Sequence, residues 1–502
     1  MKIIKNSSYK HSASSRKSNI KPQKSHLTHA LNHKTAKAVR WCTPSIDLSS
    51  SQVKNPYISD MSISYESLGY PSDPSGIFKK IYDRAAKTYG ADHTLFSVNG
   101  TTGSNFVVLR ALSKQIPNLR ILSGRNVHKS IVAACEDYGI NLIFLPTNID
   151  QELQLFLPNT EKEIYETIEK TKPQVLLLVN PTYEGISINL KKIITTIRRK
   201  YPELVVFVDE AWGAHLHFSN RLPTSSMEAG ADICVQSTHK QGGSLQQSGM
   251  IHWNDGRINI DLLMDSYRSL VTSSPSFLLL ASLDAAREMM EKRGKSKIDH
   301  ILMIAESLSQ QISHIDGLEV VTTNLLKSRH ISVHNRDETK VIVNVSKAGF
   351  NGYEIAKLLE KKYKVIVEEY NIGTILFLVP FRATLSDVKI TVSALKQIVQ
   401  LPKRGKIRAK FDLNIPTNIP RILELSDVSK LLWSQIEMVP LAKAIGRIAA
   451  EYITPFPPGI PLTIKGEEFT QEIVEYYLKL RNYPNVHIAA RDKSMETVWV
   501  VK

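Results

Sequence analysis

Cysteine is scarce in this chain: three in 502 residues, Cys42, Cys135 and Cys234, with no CxxC and no Cys/His ligand spacing. A disulfide framework and a zinc site are therefore unsupported, and a reducing, cytoplasmic setting is expected. Long apolar runs are missing too, which leaves no segment suited to a signal peptide or a membrane span. Acid is missing from the beginning: residues 1–46 hold ten Lys/Arg, and the first carboxylate is Asp47. The formal charge of +16 comes from 64 Lys+Arg against 48 Asp+Glu, and beyond that segment it shrinks to 54 against 48. The basicity thus belongs largely to the N-terminal arm, whose Lys, Ser, His and Asn content predicts a solvated, disordered tail; a transit peptide or an anionic-surface contact are the lesser readings.

What is present is the composition of a globular protein, 42% hydrophobic and 22% charged, which rules out disorder throughout. This length exceeds what one core usually serves, so several domains are expected: the arm at 1–46, a large domain at 47–300, a small α+β domain at 301–405 and a C-terminal domain at 406–502. From about residue 74 a βα rhythm sets in, with short Val/Ile/Leu runs at 94–98, 140–145, 175–179 and 204–208 separated by helical segments. Strands without polar alternation belong to a mainly parallel sheet covered on both faces. Helices are predicted at 260–271, 277–291 and 298–315, then strands at 318–321, 341–345 and 375–379 alternating with helices at 353–362 and 385–399. A linker is expected at 402–406, and the Pro/Gly-dense stretch 455–461 is too stiff for helix and suited to lining a cleft.

The chemistry gathers at strand ends. Lys240 closes Ser237-Thr238-His239-Lys240, and Asp209 lies 31 residues earlier, where an apolar stretch breaks into Asp209-Glu210-Ala211-Trp212-Gly213. Taken alone, such a lysine is a surface lysine and such an aspartate a helix cap. Together, an amine and a carboxylate at the ends of buried strands, with hydroxyls beside the amine, suit a pyridoxal phosphate site: an imine partner, a counter-ion for the pyridine nitrogen, and phosphate ligands. Asn99-Gly100-Thr101-Thr102-Gly103-Ser104 lies between a strand and a helix, offering N–H groups and hydroxyls to a single phosphate. It lacks the spacing of a P-loop or of GxGxxG. His128, opening the next helix, is placed to stack on an aromatic ring. No metal site is expected.

These pieces, with Arg125-Asn-Val-His-Lys-Ser130, Asn180-Pro-Thr-Tyr-Glu-Gly185, Val208-Asp-Glu-Ala-Trp-Gly-Ala-His215 and Gly230-Ala-Asp-Ile-Cys-Val-Gln-Ser-Thr-His-Lys240, run in one order over about residues 60–470. The chain resembles the prokaryotic ornithine/lysine/arginine decarboxylases, in the short form without the N-terminal wing domain. The resemblance implies an α/β, aspartate aminotransferase-like fold (fold type I) and pyridoxal 5'-phosphate as cofactor. It makes Lys240 the Schiff-base lysine, Asp209 the partner of the pyridine nitrogen and His128 the residue stacked on the ring. Thr101, Thr102, Ser237 and His239 fall where the family binds phosphate, and Ser274 where a neighbouring subunit reaches it, so a homodimer or larger homo-oligomer is implied. Trp212 stands where many members have His, and Gln241-Gly-Gly-Ser-Leu-Gln-Gln247 departs from the usual continuation after the lysine.

The implied reaction is decarboxylation of lysine, ornithine or arginine to an amine, with Lys240, His239 and Asp209 as catalytic residues. Another fold type I reaction, transamination or aldol-type cleavage, uses the same lysine and aspartate, and a catalytically silent binding protein is the alternative outside enzymes. The distal cation of a basic substrate needs an acid, for which Glu184, Glu210 and the acids near Glu467 are the candidates.

Overall fold

Each central strand sends alternate side chains into two different cores, and this accounts for the absence of polar alternation in the sequence. In Val175–Val179, Leu176 and Leu178 pack with Ile164, Ile168, Ile193 and Ile197 from helices Glu161–Thr171 and Leu190–Lys200. Val175 and Leu177 face the other way, into a core shared with Val107 and Leu112 of helix Gly100–Gln115, Ile131 of helix Lys129–Asp137 and Leu263 of helix Ile260–Leu270. The computed structural model from which this is read describes residues 38–46, 68–73, 75–402, 413–456, 459–483 and 486–502.

The sheet so covered has seven strands, in the order His93–Ser97, Gly249–Trp253, Ile233–Gln236, Val205–Asp209, Val175–Val179, Arg120–Ser123, Asn141–Phe144. Only Gly249–Trp253 runs against the rest. The structure therefore has the α/β, mainly parallel sheet expected from the sequence. The carboxyl ends of six strands share one edge, and the seventh begins there.

A second, four-stranded antiparallel sheet has the order Glu319–Val320, Lys340–Asn344, Thr374–Leu378, Glu369–Tyr370. The two helices expected at 277–291 and 298–315 are one, Phe277–Ser313, of 37 residues. Its first turns (Leu280, Leu283) enter the large-sheet core, and from Met289 to Ile312 it serves the core of the small sheet. Gly294, in the interval between the two expected helices, admits the Phe218 ring: a Cβ there would lie 2.9 Å from Phe218 Cδ1. A third core, including Phe469, Ile473, Tyr477 and Val500, unites helix Gln471–Leu480 with the antiparallel pair Ile436–Pro440 and Thr497–Val501.

The arm expected at 1–46 ends earlier. Residues 1–37 lie outside the described part, but Val39–Trp41 is a strand, paired in parallel with Val365–Val367. Trp41 is fully buried, donates its indole N–H to Thr391 Oγ1 at 2.7 Å and meets Phe377 edge-on. One large aromatic outweighs the basic composition around it, since its burial alone contributes about 2–3 kcal/mol. The linker expected at 402–406 falls, apart from Pro402, outside the described residues. No helix among the described residues is long and apolar enough to cross a membrane.

Replacement of Trp41 by alanine is expected to destabilise the small-sheet region by about 3–5 kcal/mol, the range for truncating a buried aromatic. Urea denaturation of the purified variant, followed by far-UV circular dichroism, checks it.

Candidate active site

Asp209 is the last residue of its strand and pairs across the ladder with Val235, two positions before Ser237. That hydrogen-bonded register converts a separation of 31 residues in sequence into neighbouring loops at the same sheet edge. Both Asp209 and Lys240 line a cavity of about 490 Å³, a size usual for cofactor and ligand sites. Thr101, Thr102, His128, Ser237 and His239 line it as well. Ser274 does not: it sits in an exposed turn, its N–H donating to Thr272 Oγ1 at 3.1 Å.

Lys240 lies in the short helix Thr238–Gln241, with its Nζ 3.5 Å from the centre of the Trp212 ring. Enclosure disfavours the ammonium and nearby Lys340 adds repulsion, while the Asp209 carboxylate opposes both; the balance brings the amine down to about 7. At neutral pH a substantial fraction is therefore the nucleophilic free base. Asp209 is buried, which pushes its carboxyl up, whereas Lys240, an Asn105 amide N–H at 3.3 Å and the Ala211 N–H at 3.1 Å favour the carboxylate.

Both histidines are neutral. Burial and the nearby Lys240 charge hold His128 at about 4. It caps helix Lys129–Asp137, its Nδ1 accepting from the Ser130 N–H at 3.2 Å, so the ring proton is on Nε2. His239 is held at about 4 chiefly by burial, and because its Nδ1 lies 2.7 Å from the Ser248 carbonyl it must donate there, leaving Nε2 as the ring acceptor.

At the other end of the cavity residues, Thr101 and Ser237 hydroxyls meet at 2.9 Å beside the start of helix Gly100–Gln115. Gly100 takes φ +60°, a left-handed conformation that favours glycine, and a Cβ there would press to 3.4 Å on the Gln247 carbonyl. Hydroxyls, free helical N–H groups and the positive end of the helix dipole make an anion site.

Several side chains escaped the sequence reading. Asn105 donates to both Asp209 and Ser130 Oγ, the latter at 3.0 Å, and so links the acid to the His128 cap. Its spacing of four from Thr101 on one helix was the available signal. Tyr183 packs on Trp212 with ring centres 4.3 Å apart, and Lys340, fully buried, places its Nζ 4.6 Å from the same indole. Lys340 belongs to the small sheet, 100 residues from Lys240, and nothing local marks it. The segment that follows strand Val39–Trp41 also reaches the site, since the Ser45 N–H donates to the Lys240 carbonyl at 3.1 Å.

Of Glu184, Glu210 and the acids near Glu467, expected as partners for a distal cation, only Glu184 lines the cavity. Glu210 accepts from the Ser226 N–H and hydroxyl at 2.7 Å each and from Gln236 at 2.6 Å. Glu467 is paired with Arg125, whose Nη2 also donates to the Leu462 carbonyl at 2.6 Å. That tie fastens the C-terminal segment to the loop before His128 and brings Gly459 and Ile460 of the stiff stretch to the cavity wall.

The sequence matches the family model "Orn/Lys/Arg decarboxylase, major domain" over residues 53–386 and its C-terminal domain over 424–486. The chain belongs to this family. It is 35% identical over 432 residues to an arginine decarboxylase of Halalkalibacterium halodurans, covering 86% of each chain. It is 35% identical to that of Bacillus subtilis over 408 residues, 81% of each. A lysine decarboxylase, LdcA of Pseudomonas aeruginosa, is 26% identical over 83% of this chain and 68% of its own. The lysine decarboxylase LdcF of Francisella novicida superposes with TM-score 0.76 at 22% identity, over 88% of this chain and 74% of that one, and so shows the same fold. The chain is thus an amino-acid decarboxylase of the pyridoxal phosphate-dependent, fold type I class. The donor set suits that cofactor: a buried carboxylate, an amine of lowered pKa and a hydroxyl-bearing helix start share one cavity. In addition, two buried oxygens beside them, Asn105 Oδ1 and Thr238 Oγ1, have no hydrogen-bond partner.

In cofactor-free protein, acylation of Lys240 followed by mass spectrometry is expected to rise with a midpoint near the amine's value of about 7, far below an ordinary lysine. Asp209→Asn should move that midpoint lower still, because the carboxylate favours the charged amine.

Proposed function

We propose that the chain decarboxylates a basic amino acid, with arginine favoured over lysine and ornithine, yielding the corresponding amine and CO2. The observation that carries this is the meeting of Lys240 and Asp209 on one enclosed cavity that also holds an acid for the far end of the substrate, Glu184. The preference for arginine rests on the relatives of 34–35% identity, four of which are arginine decarboxylases.

Pyridoxal phosphate, when bound, supplies the sink for the electrons left at Cα as the carboxylate departs. In this reading Thr101, Thr102, Ser237 and His239 would hold its phosphate, His128 would lie against its ring, and Asp209 would keep the pyridine nitrogen protonated. Lys240 is the covalent anchor; its low pKa lets it attack as a free amine and afterwards accept and return protons near pH 7. Lys240 would deliver the proton to Cα; neutral His239, the other donor considered from the sequence, has its one N–H committed to the Ser248 carbonyl. Phe156, Gly459 and Ile460 wall the cavity and limit water, and holding the scissile carboxylate in one orientation is worth on the order of 7–11 kcal/mol of the barrier. Ser274, exposed and not lining the cavity of its own chain, is assigned to the phosphate of a neighbouring subunit, which makes a homodimer the smallest active form. The same reading places the enzyme in the cytoplasm.

Assaying L-arginine, L-lysine and L-ornithine side by side for CO2 should give release from at least one, with arginine turned over fastest. Lys240→Ala should abolish both release and the visible absorbance of bound cofactor, and Asp209→Asn should slow release by about 100-fold, the worth of a hydrogen bond to a charged group in a dry site. Keto acid or aldehyde in place of amine and CO2 would point to transamination or aldol-type cleavage.

A further inference from the structure

Four carboxyls crowd one ammonium behind the cavity-lining Trp212 ring, and one of them, Glu184, lines the cavity itself. Lys340 is fully buried and interacts with Asp337, Glu184, Glu368 and Glu369. Two of the four acids are satisfied. Asp337 accepts from Thr339 and sits 3.0 Å from His215 Nε2, and Glu368 accepts from the Thr43 N–H at 2.6 Å and the Tyr183 hydroxyl at 3.1 Å. The ammonium itself is committed elsewhere, donating to the Tyr183 carbonyl at 2.9 Å and lying 4.0 Å from Asp337.

Glu184 and Glu369 are left over. Each is 3% exposed. Glu184 has the Thr182 hydroxyl at 2.8 Å as its side-chain donor, while Glu369 Oε1 is buried with no donor at all. Burial pushes both carboxyls up; the Glu184 and Glu368 charges push Glu369 further, while Lys340 opposes the rise in both and the Thr182 hydroxyl opposes it in Glu184. Two neighbouring carboxyls out of water do not both ionise unless a cation joins them. Glu184 lines the same cavity as Lys240, so the cation that completes the pair can enter with the substrate.

We propose that Glu184, with Glu369 beside it, accepts the distal cation of the amino-acid substrate, and that the pair holds a proton which the incoming guanidinium or ammonium displaces. The inference rests on the decarboxylase reading above and deepens it. Binding then converts one carboxylic acid to carboxylate and releases one proton to solvent, while the cation keeps its own protons. The groups facing the pair are Lys340 and Asp337 from one segment, Glu368 from the strand end beside Glu369, Tyr183 next to Glu184, and Lys240 across the cavity.

The test is calorimetric titration of the cofactor-loaded enzyme with agmatine, the amine that arginine would yield, at pH 7 in two buffers of different ionisation enthalpy, alongside n-pentylamine, which lacks a distal cation. Wild type should release about one proton with agmatine and none with n-pentylamine. Glu184→Gln should weaken agmatine by at least about 30-fold, as expected for a buried charge left without its partner, and leave n-pentylamine within a few-fold. Glu369→Gln should still bind agmatine but lose the proton release. Glu184→Asp keeps the charge at shorter reach and covers the case in which the glutamine variant does not fold: weaker binding with proton release retained is the expected result. Unchanged agmatine affinity in both Glu184 variants, or no proton release in wild type, would overturn the assignment. CO2 release from arginine together with either of those results would sink the subsite and spare the decarboxylase reading. The reverse pattern, proton-linked agmatine binding without CO2 release from any basic amino acid, would spare the subsite and sink the reading.

Discussion

Everything at the site follows from a sheet that has no wet face. With helices packed on both sides, a polar side chain in the middle of Val175–Val179 or Val205–Asp209 would be stranded in a core, so the strands are apolar until their last residue. Polar chemistry is pushed to the carboxyl edge, where the loops emerge. Since six strands run one way, their six emerging loops meet along one line, and ladder register, such as Val235 opposite Asp209, decides which loops touch.

A dry neighbourhood also sets the charge states. Where water cannot shield, the cost of an isolated charge exceeds that of moving a proton, so Lys240, His128 and His239 all shift toward their neutral forms. Where buried carboxylates keep partners the balance differs: Lys240 opposes the upward push on Asp209, Arg125 pairs with Glu467, and the groups around Asp337 hold its carboxyl below the usual range. The Trp212 indole, flanked by the Lys240 and Lys340 amines, gives two cations a common apolar neighbour with a negative face. A histidine at that position would bring its own titration into the same space. Trp212 contributes none.

The sequence made the large domain legible because its information is local. Apolar runs mark the strands, and Asp209, Lys240 and the Asn99–Thr102 turn each sit at the end of one. What stayed hidden depends on contacts between distant segments. Lys340 and Glu368 act on the Lys240 amine, and Glu369 on Lys340, from 100 or more residues further along the chain, and no spacing rule links them to Lys240. Residues 292–297, between the two expected helices, are polar apart from Gly294 and continue the helix, because Gly294 packs on the Phe218 ring, a contact that local sequence does not show. Trp41 was masked by basic, polar neighbours, although a single buried indole suffices to anchor a short strand. Ser274 is a different case: it is exposed and does not line the cavity of its own chain, so a single subunit holds no information on its role.

The short N-terminal strand has a bearing on where this enzyme begins as a folding unit. The family match starts at residue 53, yet the backbone N–H at position 45 is bound to the carbonyl of the cofactor-anchoring lysine, and the one at position 43 to Glu368. Resemblance between relatives and physical integrity thus have different borders here. Trimming the protein to its recognisable part would remove a clasp that touches both the catalytic loop and the acid-lined wall.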